Sequence, residues 1–297
     1  MSLKIYTDAT CDLPLSYIKE HDLTVLPMPI SLNGKEYIVG PDENAKGNIS
    51  VSEFYNRIAA GDRATTAQIT LESYTDAFGK ELKAGNDIVY LCFSSGLSGC
   101  VNAARLATEE LLEKYPGREI LIVDTLAAAV GEGLVVNIAV EKKEAEPEIT
   151  ARELAAYVES QKLRVHHWFT VGDLKYLAKG GRLSNTSAIV GTVLNIKPIL
   201  DVSSEGKLVS REKVQGRRKA MRNLADKFIA LCDDKQEAHF YVGHTGCEEE
   251  AKAVCDMIEQ QTGIKPAVFT QITPIIGAHT GIGTIALFFL SDTPRKV

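Results

Sequence analysis

The sequence lacks the features that mark exported, membrane and nucleic-acid-binding proteins. No uncharged apolar run reaches the ~18 residues of a membrane span, and the first residues, MSLKIYTDATCDLP, include neither a basic segment nor a long apolar one. We therefore expect a cytoplasmic protein without integral membrane insertion. The 33 Lys and Arg against 39 Asp and Glu give a formal charge of −6, which disfavours broad binding of nucleic acid or anionic membranes.

Cysteine is scarce and is not arranged to bind metal or form a disulfide framework. The six cysteines include no CxxC pair and have no histidines at zinc spacing. Cys100, at the start of a predicted helix, is the one thiol whose position favours a lowered pKa. We nevertheless interpret all six as reduced thiols that pack in the interior, and we expect no metal site.

The length and composition are those of a globular protein with two domains. A chain of 297 residues, 45% hydrophobic and 24% charged, is long enough to form two separate cores. We expect a three-layer α/β domain with a parallel sheet over residues 1–161, carrying the loops around Thr66 and Ser95. A second α/β domain with a mixed sheet would follow over residues 162–297, carrying the loops around Gly181-Arg182 and His279.

Short apolar runs alternate with helical patterns through the first half, as in a parallel sheet covered on both faces. The predicted strands are Leu3 to Thr7, Thr24 to Leu32, Asp87 to Phe93 and Ile120 to Asp124. Asp12 is predicted to be the N-cap of the first helix, and residues 64–70 are predicted to be a loop. Ser50 with Glu53 and Thr150 with Glu153 predict two capping boxes.

The second half has more predicted strands than crossover helices, which favours a mixed sheet. The predicted strands are His167 to Val171, Ile196 to Val202, Lys207 to Val214, Ala238 to Gly243, Ala267 to Gln271 and Gly283 to Leu290. The predicted helices lie near 172–178, 186–194, 216–232 and 247–262.

Four polar loops, three of which contain glycine, are candidates for a binding site: residues 65–68, 94–99, 180–184 and 277–281. The loop 94–99 joins a strand to a helix N-terminus, where small residues, hydroxyl groups and helix amides favour an anion. The alternative is that its serines and glycines only form turns and caps. Several such loops in one chain favour a site.

Common catalytic and cofactor motifs are not matched. Residues 96–100, Gly-Leu-Ser-Gly-Cys, do not fit the nucleophile elbow, and residues 281–286 fit the dinucleotide fingerprint only formally because a strand follows them. His166 and His167 adjoin on a strand and face opposite sides, so we expect one to be buried and the other to lie at the surface. His279 differs because glycines flank it, and its neutral ring could donate a hydrogen bond to an oxyanion.

One dense basic cluster stands out in this acidic chain. It contains Arg217 and Arg218 near the start of a predicted helix. A solvated helix face explains such a cluster, but it could also dock an acidic partner or one that carries nucleotide phosphates.

Seven ordered segments, spread over nearly the whole chain, resemble the DegV family. They are Thr7-Asp8 with Asp12-Leu13-Pro14, Thr66-Ala67-Gln68, Ser94 to Gly99, Asp124-Thr125 with Gly131-Glu132-Gly133, Leu177 to Ser184, Asn195 to Leu200, and Gly277 to Gly281. The resemblance implies two α/β domains that hold a long-chain fatty acid such as palmitate or oleate in an apolar tunnel. It also implies a protein that is not itself an enzyme and needs no cofactor, and that presents the fatty acid to a kinase subunit for conversion to an acyl phosphate.

The resemblance also implies site residues. Thr66 and Ser95 would donate hydroxyl hydrogen bonds to the carboxylate, and His279 would be the remaining head-group contact. The neighbouring residues Thr65, Ser94, Gly96, Ser98 and Thr280 belong to the same candidate site. Arg217 and Arg218 match the basic region that meets the kinase subunit.

The chain departs from the family pattern where Ala67, Ile69 and Thr70 replace serine, proline and serine. These changes concern the geometry of the contacts with the head group.

A hypothesis of another class is an enzyme that acts on a small phosphorylated or carboxylated metabolite, with His279 as acid or base and residues 94–99 as the anion cradle.

Overall fold

The computed structural model describes residues 2–183, 195–232 and 240–297. Ser184, the helix predicted over 186–194 and the first residues of the strand predicted from Ala238 lie outside this range. The strands are β1 (Leu3–Asp8), β2 (Thr24–Leu26), β3 (Met28–Leu32), β4 (Lys35–Val39), β5 (Ala64–Thr66), β6 (Asp87–Cys92), β7 (Ile120–Asp124), β8 (Val165–Thr170), β9 (Ile196–Val202), β10 (Leu208–Gln215), β11 (Phe240–His244), β12 (Val268–Gln271) and β13 (Ile285–Leu290). The helices are α1 (Leu15–Glu20), α2 (Val51–Ala59), α3 (Leu71–Lys83), α4 (Cys100–Lys114), α5 (Val130–Ala145), α6 (Ala151–Gln161), α7 (Lys175–Gly180), α8 (Arg217–Leu231), α9 (Glu248–Thr262) and α10 (Pro274–Thr280).

The described strands form three sheets. The first has the order β2-β1-β6-β7 and is parallel throughout. The second is a small antiparallel sheet of order β4-β3-β5, and the third has six strands in the order β10-β9-β8-β13-β11-β12. Within the third sheet only β11 and β12 pair in parallel. The predicted α/β class, with a parallel sheet followed by a mixed sheet, is therefore confirmed.

The predicted strand over Thr24 to Leu32 is wrong in detail, because the chain changes sheets at Pro27. β2 pairs in parallel with β1, whereas β3 pairs in an antiparallel manner with β4 and β5. Proline has no N–H group to continue a ladder, which favours a break at that residue. The predicted loop over 64–70 is also corrected, since Ala64–Thr66 is a strand and Thr66 lies opposite Ile30.

Asp12 is not the N-cap of the first helix. Helix α1 begins at Leu15, and Pro14 precedes it without a side-chain cap. Asp12 Oδ1 instead accepts a hydrogen bond of 2.9 Å from the backbone amide of Thr273, immediately before α10. The capping box of Thr150 and Glu153 is present at α6, whereas only half of the box predicted at α2 is present, in which Ser50 accepts from the Glu53 amide.

Three further hydrogen-bonded contacts connect the two halves of the chain. Ser94 Oγ donates to the carbonyl of Gly206 at 2.8 Å, and Tyr55 Oη donates to the carbonyl of Ile272 at 2.8 Å. The buried Arg295 donates from Nη1 to the carbonyls of Leu126 and Ser203 at 2.9 and 3.0 Å. These contacts hold the parallel sheet and the mixed sheet against each other.

None of the helices in the described ranges combines the length and the apolar character needed to cross a bilayer.

Candidate functional site

A mainly apolar cavity of about 190 Å³ lies between the two halves of the chain. Its apolar lining includes Met28 of β3, Phe93 after β6, Phe169 of β8 and Phe288 of β13. Polar groups line it as well, and they are Thr66, Gln68, Ser98, His167, Arg182, His279, Thr280 and Thr284. Both halves of the chain contribute to the lining, so the cavity exists only when they are packed together.

Thr66 and His279 meet in this lining. Thr66 Oγ1 lies 2.8 Å from His279 Nε2, although the two residues are 213 positions apart in sequence. Pairing of β5 with β3 fixes Thr66, and α10 carries His279, which was predicted to lie in a loop. Burial and then the nearby Arg182 lower the pKa of His279 to about 4, so its ring is neutral at pH 7.

Arg182 is held beside this pair by main-chain carbonyl groups. Its Nη1 donates to the carbonyl of Gly180 at 2.5 Å, and its Nε donates to the carbonyl of Leu97 at 3.3 Å. Gly180 packs against the ring of His279 so closely that an added Cβ would lie 2.5 Å from Nδ1. Only glycine therefore allows this backbone to approach the histidine.

Two of the residues expected around the head group instead hold the loop 94–99 in place. Ser94 is fully buried, and its hydroxyl accepts from the Gly96 amide as well as donating to Gly206. A Cβ on Gly96 would lie 2.7 Å from the Gly206 carbonyl oxygen, which explains the glycine.

Ser95 is placed differently from the expectation, because its side chain is exposed and does not line the cavity. Its backbone amide donates to Asp124 Oδ1 at 3.1 Å. Ser98 lines the cavity instead, with its hydroxyl 3.1 Å from Cys100 Sγ. Thr280 is buried in the lining and its hydroxyl donates to the Ile276 carbonyl at 3.2 Å.

A second space, a groove of about 630 Å³, adjoins the cavity. Thr66, Arg182 and His279 line both spaces, so the groove and the cavity meet at these residues. Thr65 lines the groove and not the cavity. The other charged residues of the groove are Asp62, Arg63, Asp173, Lys175 and Lys179.

Comparison with known proteins shows which family these elements form. The family model described as an uncharacterised protein of the DegV family matches residues 2–292. A DegV domain-containing protein of Clostridium perfringens is 38% identical over 289 residues, which cover 97% of both chains. The chain belongs to the DegV family.

Two solved structures of DegV proteins are similar to this DegV chain over almost its full length. One is a fatty acid binding DegV family protein of Streptococcus agalactiae, 28% identical, with a TM-score of 0.84 over 99% of this chain and 100% of that one. The other is a DegV family protein of Thermus thermophilus whose structure is described by its fatty acid binding. It is 27% identical, with a TM-score of 0.84 over 98% of this chain and 100% of that one.

The DegV structure also brings in residues that sequence reasoning missed. His167 and Gln68 line the cavity, and Arg182 stands beside His279. The signals for Arg182 were its place in a glycine-bearing loop and in the DegV-like segment Leu177 to Ser184. One of His166 and His167 was expected at the surface, but both are buried. His166 Nε2 lies 2.8 Å from the Thr293 carbonyl oxygen.

Burial or an ion pair accounts for two further candidate residues of this DegV chain, Cys100 and Arg217. Burial raises the pKa of the Cys100 thiol, so its place at the start of α4 does not make it reactive. Arg217 is mostly buried and forms an ion pair of 2.7 Å with Glu250, whereas Arg218 is exposed. Among the described residues, no group of three or more His, Cys, Asp and Glu is arranged to hold a metal ion.

Proposed function

We propose that this DegV protein binds a long-chain fatty acid such as palmitate or oleate. The acyl chain lies in the apolar cavity, and the carboxylate lies at its polar end beside Thr66, Ser98, Arg182 and His279. The observation that carries this proposal is the contact between Thr66 and His279, where an apolar cavity meets a basic groove. An amphiphile with an apolar tail and an anionic head fits these two surroundings.

The head group is held by a short chain of hydrogen bonds. In the neutral tautomer with its proton on Nε2, the His279 ring donates to Thr66 Oγ1, and the threonine hydroxyl proton is then available to the carboxylate. Each hydrogen bond to a charged group contributes roughly 1.5 to 3 kcal/mol and offsets the cost of removing the carboxylate from water. Arg182, anchored by its carbonyl contacts, adds a positive charge at this end of the cavity.

The tail supplies most of the affinity. Burial of a sixteen-carbon chain contributes on the order of 10 kcal/mol, at ~0.8 kcal/mol for each CH₂ group. The cavity of about 190 Å³ is smaller than the roughly 300 Å³ at the lower end of ordinary ligand pockets. We therefore expect side chains of the lining to move when the acyl chain enters.

The relatives support the same ligand class. The Streptococcus agalactiae and Thermus thermophilus proteins, both described by fatty acid binding, share more than a quarter of their residues with this chain.

In this proposal the protein catalyses nothing by itself and presents the carboxylate to a fatty acid kinase subunit. There, a carboxylate oxygen would attack the γ-phosphorus of ATP, and the bond from that phosphorus to the β,γ-bridging oxygen would break to release ADP. Of the two arginines predicted for docking, Arg218 is exposed near the start of α8, whereas Arg217 is already paired with Glu250. A charge reversal, Arg218→Glu, should lower acyl phosphate formation and leave palmitate binding unchanged.

The enzyme hypothesis fits the site less well. A small phosphorylated or carboxylated metabolite would favour a wet, polar cleft, whereas the cavity is lined mainly by apolar side chains. A His279 pKa of about 4 also makes its ring a weak base and leaves it with no proton to give as an imidazolium acid at pH 7.

The test is extraction of the purified protein, followed by mass spectrometry of its lipids and by palmitate titration of the delipidated protein. We expect stoichiometric fatty acid and a loss of palmitate affinity of about tenfold in Thr66→Val, from one hydrogen bond to a charged group. Thr65→Val is the matched control, since Thr65 lies next in sequence and outside the cavity. A lipid-free preparation that binds neither palmitate nor oleate would refute the proposal.

A further inference from the structure

We infer that Arg295 fixes the end of the cavity farthest from His279 and thereby limits the length of the acyl chain that the protein accepts. This inference rests on the proposed function, because it assigns a positioning residue to the tail of the same fatty acid. Arg295 is not part of the cavity lining. It acts through the backbone of residues that are.

The position of the far end follows from the direction of β13. Thr284 Oγ1 donates to the carbonyl of Thr280 at 3.4 Å, so the chain enters β13 beside the end of α10, which carries His279. Phe288 lies roughly 13 Å beyond Thr284 along this strand, at about 3.4 Å per residue. His167 of β8 lies opposite Phe288, and both side chains line the cavity. They therefore mark its far end.

The loop between β7 and α5, residues 125–129, completes this far wall. Its Ala128 and Ala129 line the cavity, and the Ala128 amide lies 3.4 Å from His167 Nε2. Two residues of the loop, Leu126 and Ala129, have positive φ angles of 50° and 56° without being glycine. Such conformations cost free energy and persist only where other contacts hold them. The position of the wall therefore depends on the groups that hold this loop.

Arg295 holds the loop against strand β9. Its Nη1 donates to the carbonyl of Leu126 at 2.9 Å and to those of Val202 and Ser203 at 3.2 and 3.0 Å. Val202 is the last residue of β9, and it lines the cavity as well. One guanidinium group thus fixes the separation between two segments of the wall, one from each half of the chain.

The burial of Arg295 has a cost that these contacts must offset. The side chain is buried, and its Nε has no hydrogen bond within the described ranges. Burial lowers the pKa of Arg295 to about 10, so the guanidinium group is still charged at pH 7. The carboxylate of Asp201 acts on this charge but pairs with Arg211 instead. An apolar side chain would fill the space without the cost of a buried charge, but it could not bridge the carbonyl groups.

Loss of these contacts should let the far wall recede. The loop 125–129 and the end of β9 would separate, and the space between them would take further CH₂ groups of an acyl chain. Each buried CH₂ group is worth roughly a factor of four in affinity, so room for two more should favour a longer chain by about tenfold. A chain that ends before the wall gains nothing from the change.

The test measures the binding of palmitate and of arachidate, which is four carbons longer, to the delipidated wild type, Arg295→Met and Arg295→Lys. Methionine keeps an unbranched side chain without donors, whereas lysine keeps the charge but replaces the planar donor group with one ammonium group. We expect the ratio of arachidate affinity to palmitate affinity to rise by about tenfold in Arg295→Met. In Arg295→Lys it should rise by a smaller factor, because the ammonium group can still reach part of the carbonyl groups.

Arg118→Met is the matched control. Arg118 Nη1 also donates to a main-chain carbonyl, that of Gly85 at 2.5 Å, but neither residue lines the cavity. The control should keep the wild-type ratio. Urea denaturation of all three variants measures any loss of stability separately from the change in ratio.

Other results would overturn the inference. An unchanged ratio in Arg295→Met, whether both affinities fall together or neither changes, would show that Arg295 does not limit chain length. A lower ratio would show that the wall collapses into the cavity. If Arg295→Met did not fold, a wild-type ratio in Arg295→Lys would decide against the inference in the same way. Absence of binding of both fatty acids to the wild-type protein would refute the proposed function itself, which distinguishes that failure from failure of the role of Arg295.

Discussion

The carboxylate of Asp12 accepts a hydrogen bond from the backbone amide of Thr273, 261 residues away and one residue before α10. Because α10 carries His279, this contact between the two halves of the chain also positions the candidate head-group site. The carboxylate is fully buried, and its other oxygen, Oδ2, has no hydrogen-bond partner among the described residues.

Replacement of Asp12 by asparagine should remove a pH-dependent cost. Burial raises the pKa of Asp12 to about 7, so the folded state holds a proton that the unfolded state releases near pH 4. The contribution of Asp12 to the free energy of unfolding is therefore greatest below pH 4 and falls by about 1.4 kcal/mol per pH unit up to pH 7. The asparagine amide keeps an oxygen acceptor for Thr273, so chemical denaturation should show Asp12→Asn to be the more stable protein at pH 8, with the difference shrinking toward pH 5.

Asp22→Asn is the matched control. Asp22 also has a positive φ, at 50° against 53° for Asp12, but its side chain is exposed. The control should not gain stability at pH 8, because it removes the ion pair of Asp22 with Lys4 rather than a buried carboxylate. If Asp12→Asn and wild type had parallel stability profiles, the raised pKa of Asp12 would be wrong.

A second buried acid, Glu132, is expected to hold a proton at neutral pH. Thr10 Oγ1 lies 2.5 Å from Asp8 Oδ1 and 2.6 Å from Glu132 Oε2, yet a hydroxyl has one proton for these two contacts. Burial, and to a smaller extent the nearby carboxylate of Asp8, raises the pKa of Glu132 well above its ordinary value. We therefore assign the second proton to Glu132. Glu132→Gln should therefore be as stable as wild type at pH 5 and more stable at pH 8.

Glu132→Ala is the contrasting variant, since it removes the hydrogen bonds that Glu132 accepts from Thr10 and Thr7 and leaves a buried cavity, at a cost of roughly 2 to 5 kcal/mol. Thermal unfolding at the two pH values measures both effects. A glutamine variant as damaged as the alanine variant would indicate that Glu132 is ionised.

The packing of Gly96 against Gly206 predicts a strong effect of one methyl group. A Cβ at residue 96 would lie 2.7 Å from the Gly206 carbonyl oxygen and 2.8 Å from that of Glu205. Because backbone cannot give way cheaply, Gly96→Ala should cost about 1 to 3 kcal/mol of unfolding free energy. Gly79→Ala in α3, where the nearest atom is a flexible Leu111 methyl group at 3.3 Å, should be neutral or stabilising. Equal effects of the two changes in urea unfolding would contradict this close approach.

Cavity volume should control the preferred length of the acyl chain. Ala286 of β13 is buried and lines the cavity, so Ala286→Leu fills space that the tail would occupy. We expect the variant to lose affinity for a chain of about eighteen carbons more than for one of about twelve, because ~0.8 kcal/mol is lost for each CH₂ left unburied. Competition against a fluorescent fatty acid measures the affinities for the two chain lengths. Ala253→Leu is the control, because Ala253 lies on α9 and outside the cavity lining. A uniform loss for both chain lengths would argue against the cavity as the tail site.

Residues close in sequence allowed much of the fold to be predicted. The strands Ile120–Asp124 and Ile196–Val202 have their predicted bounds, and the capping box of Thr150 and Glu153 is present. These features depend on apolar periodicity and on contacts within a few residues, which the chain order displays directly.

Prediction failed where a distant segment decided the local structure. Residues 64–66 were predicted to belong to a loop because the segment 64–70 is short and polar, but pairing with β3 makes them a strand. Aspartate commonly caps helices, but the carboxylate of Asp12 accepts its hydrogen bond from the distant amide of Thr273. In both places a long-range hydrogen bond outweighs a local preference of a few tenths to about 2 kcal/mol.

The sequence by itself determined the family, the α/β class and the candidate residues Thr66 and His279, because motifs and periodicity are properties of the chain order. Only the tertiary structure decided that Thr66 contacts His279, that Ser98 rather than Ser95 lines the cavity, and that Arg182 joins the cavity to a basic groove. The physical reason is that a cavity is formed by side chains from strands and helices far apart in the chain. Its shape and charge arise only when the two halves pack together.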